Sequence, residues 1–320
     1  MKRQPRVSTK RVRGAVGIPT PLDRHMPPAA VGVVGCGTMG QIITSALVRT
    51  GYSVVVHDTD PVARVAAASA GATPASDLVA LAACPVVTLA LPGPKEVREV
   101  VLGLLGLPRP PATILDTSTS DPETTRELAS AAGHRETALL DAPILGRPAT
   151  VGHWTVAVGG DAAALARVRP VLEAFAARVV HVGPAGAAHT LKLLNQMMFA
   201  IINAATAEVM ALAPRLGLAP SLFYDTVVSS GAATVSGLFR ELGRKISRED
   251  FSPVFSVGLL CKDTDLAMEM ARRAGGAAVM TSTVQLLNHL AWAWGLSGQD
   301  SSALFHVYRR LGGQTSGGGD

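Results

Sequence analysis

A glycine-rich segment near the N-terminus constrains the fold of this chain more than any other feature. Residues 31–40 read V-G-V-V-G-C-G-T-M-G and place Gly35, Gly37 and Gly40 at the spacing G-x-G-x-x-G. Three valines before the glycines suit a buried parallel strand, and the apolar residues that follow recur at helical spacing: Ile42, Ile43, Ala46 and Leu47. The segment therefore predicts a strand, a tight turn and a helix in direct succession.

In such a turn each glycine has its own purpose. Gly35 lets the chain reverse tightly, Gly37 lets backbone amides approach a pyrophosphate, and Gly40 lets helix and strand pack closely. Thr38 and Met39 complete the turn, where the free amides at the helix start face an anion. These residues predict a dinucleotide-binding site.

An acidic residue about twenty positions further on indicates which dinucleotide is bound. A second candidate strand, residues 53–57, ends directly before Asp58. A carboxylate there can accept hydrogen bonds from both ribose hydroxyls of an adenosine, and it repels a 2′-phosphate. We therefore expect NAD rather than NADP, although Arg64, one helical turn into the next element, leaves NADP use open.

Strand and helix patterns alternate from Val31 to about His181, which predicts an α/β fold with a doubly wound sheet. One helical pattern then covers residues 185–216. At 1.5 Å per residue, roughly 30 residues span roughly 45 Å, so this helix must bridge two bodies. Candidate strands cover residues 31–35, 53–57, 85–91, 112–116, 137–141, 154–158 and 178–182. Later helices cover residues 220–230, 234–245, 256–274, 278–295 and 301–311.

The positive charge of the chain is concentrated at its N-terminus. Residues 1–30 hold seven of the 29 Lys and Arg residues but one of the 24 Asp and Glu residues, so the remainder carries a net charge of −1. Nucleic-acid binding by the folded part is not indicated. The Pro-rich, basic residues 1–30 predict a disordered leader, with a transit peptide or a wrongly chosen start codon as alternatives.

Cysteine usage and hydropathy exclude several classes of protein. Cys36, Cys84 and Cys261 are far apart and lack a C-x-x-C pair, so neither a metal site nor a disulfide framework is predicted, and a reducing cytoplasm is expected. The longest apolar region, residues 191–213, is interrupted by charged and amide residues. We therefore expect no membrane span.

Four segments, taken in order, resemble the β-hydroxyacid dehydrogenase family, which includes the 3-hydroxyisobutyrate and 6-phosphogluconate dehydrogenases. They are the V-G-C-G-T-M-G turn, L-D-A-P-I-L-G-R-P at 140–148 with the strand and paired glycines that follow it, G-P-A-G-A-A-H-T-L-K-L-L-N-Q at 183–196, and K-D-T-D-L-A at 262–267. The resemblance implies an N-terminal doubly wound Rossmann domain, a long interdomain helix and an all-α C-terminal domain. The expected divisions are a leader (1–30), an NAD-binding domain (31–184), the helix (185–216), a helical domain (217–313) and a flexible tail (314–320).

The resemblance also implies roles for individual residues. Lys192 is expected to exchange the hydroxyl proton as general acid or base, because a lysine desolvated in a cleft has a lowered pKa. Asn195 is expected to hold the substrate beside it, together with Gln196, which stands where the family usually has a second Asn. On the cofactor side the implied residues are Leu91, Pro92, Thr119 and Lys262, with Ser118 facing the substrate.

The substrate loop departs from the family pattern. Where the family commonly shows Ser-Gly-Gly, this chain has Leu145, Gly146 and Arg147. The hydroxyl that would bind a carboxylate is absent, and a guanidinium stands two positions later. Arg147 is either a surface residue or the receiver of a carboxylate, sulfonate or phosphate in a bidentate pair.

These features predict an NAD-dependent dehydrogenase or reductase that acts on a small anionic β-hydroxyacid or its aldehyde or keto-acid partner. Two alternatives differ in class. An imine reductase has a similar architecture but typically replaces the lysine, and a non-catalytic Rossmann scaffold would lose both Lys192 and Asn195, which are retained. The resemblance further implies a homodimer or homotetramer.

Overall fold

A computed structural model of the protein describes residues 30–231 and 236–313. The predicted leader and tail therefore lie outside the described residues, except for Ala30, which begins the first strand. The strands are β1 (Ala30–Val34), β2 (Ser53–His57), β3 (Thr73–Pro74), β4 (Val86–Leu89), β5 (Thr113–Asp116), β6 (Ala138–Asp141), β7 (Ile144–Leu145), β8 (Thr155–Gly159) and β9 (Arg178–Gly183).

Helices occupy the predicted positions between and after the strands. They are α1 (Thr38–Arg49), α2 (Pro61–Ser69), α3 (Pro94–Leu105), α4 (Pro122–Gly133), α5 (Ala162–Glu173), α6 (Ala187–Leu212), α7 (Pro220–Ser230), α8 (Gly237–Ser247), α9 (Val257–Arg273), α10 (Val279–Ala291) and α11 (Leu304–Leu311). Asp121 caps α4 as its sequence predicts, because its carboxylate accepts hydrogen bonds from the amides of Glu123 and Thr124.

The nine strands form one sheet in the order β3-β2-β1-β4-β5-β6-β8-β7, with β9 paired to β8. Five neighbouring strands of this sheet are parallel, namely β2, β1, β4, β5 and β6. This arrangement confirms the predicted doubly wound sheet. Beyond β6 the sheet is mixed, because β8 runs antiparallel to both β6 and β7. The sequence did not predict this reversal; no long helix connects β6 to β8, and a parallel connection needs such a crossover.

Separate apolar clusters cover the two faces of the sheet. Val31, Val33 and Val56 pack on one side with α1 and α5, whereas Val34, Val87 and Leu89 pack on the other with α3 and α4. A third cluster fills the helical domain, where residues of α6 meet α8, α9 and α11. The carboxyl ends of the parallel strands are left open toward the helical domain, as expected for a ligand-binding crevice in such sheets.

The long helix α6 joins the two bodies, as predicted. Its first turns contact β6, β8, β9 and α4, and the rest packs on α8, α9, α10 and α11. A 3-10 turn extends it to Leu216. By length and composition Ala187–Leu216 is apolar enough to cross a membrane, but 44% of its apolar 18-residue stretch is buried inside the protein. Burial against neighbouring helices accounts for its apolar character.

Candidate active site

A cavity of about 930 Å³ lies between the carboxyl ends of the strands and the helical domain. Residues of the glycine turn line one end, and residues of α6 and α9 line the other. All but one of the residues that the sequence singles out contribute to its wall: Gly35, Gly37, Thr38, Met39, Asp58, Leu91, Pro92, Ser118, Thr119, Gly146, Arg147, Lys192, Asn195, Gln196 and Lys262. Gly40 is the exception, because it packs behind the turn.

The glycine turn fits a pyrophosphate. A Cβ atom on Gly40 would lie 1.8 Å from the carbonyl oxygen of Gly35, so only glycine allows this approach of helix to strand. Gly35 itself has φ +92° and faces the Ala90 carbonyl. A Cβ on Gly37 would meet nothing within 4 Å. The start of α1 therefore opens directly into the cavity, with its first backbone amides available to an anion.

Asp58, the predicted ribose-binding residue, lies in the cavity wall beside the glycine turn. Its carboxylate accepts hydrogen bonds from the amides of Cys36, at 2.6 Å, and Asp60, at 2.8 Å. The Arg64 guanidinium donates to the backbone carbonyl of Asp58. The carboxylate is thus fixed against the glycine turn, and a cation lies beside it.

The tip of β5 and α9 meet where the sequence predicts the nicotinamide side of the site. The Lys262 ammonium donates to the carbonyl oxygen of Thr119 at 3.2 Å, so α9 reaches across to the Rossmann domain. Ser118 is 4% exposed; its hydroxyl accepts a hydrogen bond from the amide of Leu91 at 2.9 Å, and its own backbone amide donates to Asp116 at 3.0 Å. The Ser118 hydroxyl joins the tips of β4 and β5, a role that the sequence did not predict.

Lys192 lies one turn and a half into α6 and is half-buried. Its ammonium donates to the carbonyl oxygen of Ile144 at 2.9 Å. Burial lowers the pKa of Lys192; the negative charge of Asp263 opposes this effect, and the positive charges of Lys262 and Arg147 add to it. The side chain can therefore hold or release a proton within the cavity more readily than an exposed lysine.

A buried carboxylate fixes the start of the helix that carries Lys192. Asp141, at the end of β6, accepts hydrogen bonds from the amides of Gly186, Ala188 and His189 at 2.9–3.0 Å. It is fully buried, and a Cβ on Gly159 would lie 2.5 Å from its Oδ1. Asp141 belongs to the L-D-A-P segment, but its use as a cap for α6 depends on tertiary packing.

His189 is a second buried support that the sequence reasoning missed. One ring nitrogen lies 2.8 Å from the Thr125 hydroxyl on α4, and the other lies 3.2 Å from the Ser118 carbonyl oxygen. The side chain is fully buried. It therefore joins α6, one turn before Lys192, to the tip of β5 and to α4.

Asn195 and Gln196 lie on α6 beyond Lys192 but differ in their surroundings. Asn195 is exposed to the cavity, whereas Gln196 is 6% exposed. The Gln196 amide donates to the Asp263 carboxylate and lies 3.5 Å from the Asn195 amide. Asp263 is also ion-paired with Lys262 at 2.7 Å. Both ends of the Gln196 amide thus contact protein groups, and its predicted contact with substrate stays a prediction.

The substrate loop rests on a buried tryptophan. The Trp154 indole donates to the carbonyl oxygen of Arg147 at 2.7 Å, and a Cβ on Gly146 would lie 2.2 Å from the Trp154 ring. The Arg147 guanidinium pairs with Glu241 on α8 and lies 5.3 Å from the ring centre of Phe199. Glu241 therefore occupies Nη1, so the predicted two-pronged contact of Arg147 with an anion would use the other guanidinium nitrogens.

Comparisons with known proteins agree with this geometry. Residues 30–183 match the model of the NAD binding domain of 6-phosphogluconate dehydrogenase, and residues 186–308 match that of NADP-dependent 3-hydroxyisobutyrate dehydrogenase. The chain belongs to the β-hydroxyacid dehydrogenase family. It is 32% identical over 287 residues to a probable 3-hydroxyisobutyrate dehydrogenase of Mycobacterium tuberculosis. The matched region covers 87% of this chain and 97% of the relative.

Solved structures show the same relationship. A 3-hydroxyisobutyrate dehydrogenase from Salmonella typhimurium is 28% identical in sequence, with a TM-score of 0.80. The match covers 87% of this chain and 99% of the Salmonella chain. Psf3, solved in complex with NADP+ and 2-OPP, is 26% identical with a TM-score of 0.76 over the same shares. This β-hydroxyacid dehydrogenase family member is therefore an NAD(P)-dependent oxidoreductase.

Proposed function

We propose that the protein transfers hydride between a nicotinamide and a small β-hydroxyacid or its aldehyde or keto-acid partner, with Lys192 as general acid and base. The observation that carries the proposal is the position of the Lys192 ammonium. It lines the same cavity as the glycine turn, and burial lowers its pKa. A panel of hydroxyacids and semialdehydes, followed by NADH absorbance, tests the proposal; no turnover of any member would contradict it.

The bound nicotinamide would supply or accept the hydride. Glycine-turn amides and Asp58 would hold its diphosphate and ribose, while Leu91, Pro92, Thr119 and Lys262 would position the ring end. Neutral Lys192 takes the hydroxyl proton during oxidation and returns it during reduction. Asn195, exposed beside Lys192, orients the hydroxyl or carboxylate, and the cavity walls limit access of water.

An imine reductase remains the second candidate, because that activity occurs on a similar architecture. Retention of Lys192 next to Asn195 favours hydroxyacid chemistry, since a proton must leave the alcohol as the hydride departs. A cyclic imine included in the same panel distinguishes the two activities.

Asp58 is proposed to make the enzyme prefer NAD over NADP. Asp58→Ala should change the ratio of the NAD and NADP Kd values by at least about tenfold in favour of NADP, because it removes a ribose acceptor and a repulsive charge. Asp60→Ala is the matched control, since this exposed neighbour caps α2. Fluorescence titration measures both affinities, and a wild type that already prefers NADP would contradict the proposal.

Arg147 is proposed to receive the anionic group of the substrate. Its Nη2 atom is buried and has no hydrogen-bond partner within residues 30–231 and 236–313, so a ligand oxygen would satisfy it. Arg147→Ala should raise KM for an active hydroxyacid by at least about tenfold. The neutral amide of the same substrate should bind wild type and variant equally. Unchanged KM for the acid would return Arg147 to a structural role.

A homodimer, or a tetramer built from it, is proposed from the apolar surface of the helical domain. Exposed apolar side chains follow one side of α6 and its extension: Leu194, Met198, Val209, Leu212 and Leu216. No residue of α7 is buried, although this helix carries the apolar residues Leu222 and Phe223. Such a surface is typical of an interface between subunits. Light scattering should show a dimer or larger assembly, and Leu216→Glu should shift it toward monomer; a monomeric wild type would contradict this.

We further propose a cytoplasmic location. Cys36, Cys84 and Cys261 are all buried and unpaired with one another, as is common in a reducing compartment. Burial raises the pKa of Cys36 and of Cys261 to about 11, so these thiols stay protonated and unreactive. Cell fractionation tests the location.

A further inference from the structure

We propose that Glu241 is a specificity-determining residue that restricts the anion bound at Arg147 to a singly charged carboxylate and disfavours a phosphate dianion. This selectivity rests on the proposed role of Arg147 as the anion receiver. It goes further by naming a residue outside the cavity wall that discriminates between two classes of anion.

Two domains fix the position of the Arg147 guanidinium. Its backbone belongs to the loop after β7, where Trp154 holds the carbonyl oxygen. Its head group pairs with Glu241 on α8, 94 residues further along the chain, and lies over the ring of Phe199 on α6. Both charged side chains are 26% exposed. The pair is thus partly shielded from solvent, where charges interact more strongly than at an open surface.

Charge in this half of the cavity is balanced group by group. Glu241 compensates Arg147, and Asp263 compensates Lys262. Lys192 is the remaining cation in this group, and burial disfavours its charged form. A ligand therefore meets no excess of positive charge among these residues, and each negative charge that it carries adds to its repulsion by Glu241.

Hydrogen-bond geometry favours the same class of anion. Glu241 occupies Nη1 of Arg147, and the buried Nη2 has no partner among the described residues. A carboxylate oxygen can accept a hydrogen bond from Nη2. Glu241 then repels the single negative charge of the carboxylate. Glu241 repels both negative charges of a phosphate dianion, and the three acceptor oxygens of the phosphate need further hydrogen-bond donors. Glu241 does not line the cavity, so it acts through Arg147.

Two unreactive ligands provide the test. Isobutyrate carries one charge, whereas isobutyl phosphate carries close to two at pH 8, since the second pKa of a phosphate monoester is about 6. Titration of each into the enzyme–NADH complex, followed by NADH fluorescence, should show that the wild type prefers isobutyrate. Glu241→Gln should shift the ratio of the two Kd values about tenfold toward the phosphate. Glu241→Asp, which keeps the charge, should retain the wild-type ratio.

The double variant Arg147→Met/Glu241→Gln tests whether Arg147 mediates the effect. The gain in phosphate binding should disappear in it. An unchanged ratio in Glu241→Gln, or a gain that persists without Arg147, would overturn the inference. Because these are binding measurements, they do not depend on turnover. Absence of hydroxyacid oxidation would contradict the proposed function alone and would leave the measured selectivity intact.

Discussion

Replacing Lys192 by methionine should lower kcat for hydroxyacid oxidation by about 10²- to 10⁴-fold, the usual contribution of a general acid or base. Methionine keeps most of the length and apolar packing of the lysine stem but can neither accept nor donate the substrate proton. NADH binding should change little, because the Lys192 ammonium contacts Ile144, whereas the proposed diphosphate and ribose contacts belong to the glycine turn and Asp58. Initial rates and NADH fluorescence measure the two effects separately.

The matched control for this variant is Lys95→Met. Lys95 is exposed at the start of α3 and does not line the cavity, so its loss should leave kcat unchanged. A decrease of less than about tenfold in Lys192→Met would contradict the assignment of the proton transfer to Lys192. A similar decrease in both variants would point to a general effect of lost charge instead.

Asp141→Asn should lower the free energy of unfolding by about 3 kcal/mol, because it leaves buried backbone amides poorly satisfied. The carboxylate accepts three amide hydrogens at the start of α6, and an amide group would turn a donor toward some of them. The start of α6 should loosen as a result, and kcat should fall as well because Lys192 follows on the same helix. Urea unfolding and initial rates provide the two measurements.

Asp161→Asn is the control for the loss of a helix cap. Asp161 caps α5 by accepting from the amide of Ala164 at 2.7 Å, but it is exposed to solvent. Its substitution should cost well below about 1 kcal/mol, because Asn caps a helix about as well as Asp, and should leave kcat unchanged. Equal losses of stability in the two variants would show that burial of Asp141 adds nothing to its role.

Much of the fold is local and was therefore predictable. Valine-rich strands, the glycine turn, and the Asp121 cap with Pro122 behind it are set by neighbours within a few residues. The antiparallel edge of the sheet was not predictable in this way. It depends on how the chain returns between β6 and β8, and the two-residue strands β3 and β7 are too short to produce a periodic pattern.

The candidate site also combines features that the sequence predicts with features that depend on distant parts of the chain. Motifs identified the residues that line the cavity, but their partners come from distant parts of the chain. Glu241 reaches Arg147 from α8, and Asp263 engages Gln196 across 67 residues. Trp154 supports Gly146 by packing that only the folded loop reveals. Contacts of this kind follow from tertiary structure, so a motif can name a side chain without naming its hydrogen-bond partner.

The pH dependence of kcat for hydroxyacid oxidation by the wild type tests the central claim most directly. Lys192 must be neutral to accept the proton, and burial lowers its pKa. The rate should therefore be low when Lys192 is protonated, rise as pH increases through its folded-state pKa, and reach a plateau at a pH below that needed to deprotonate an exposed lysine. Turnover that stays constant across this range would contradict the assignment of Lys192 as the base.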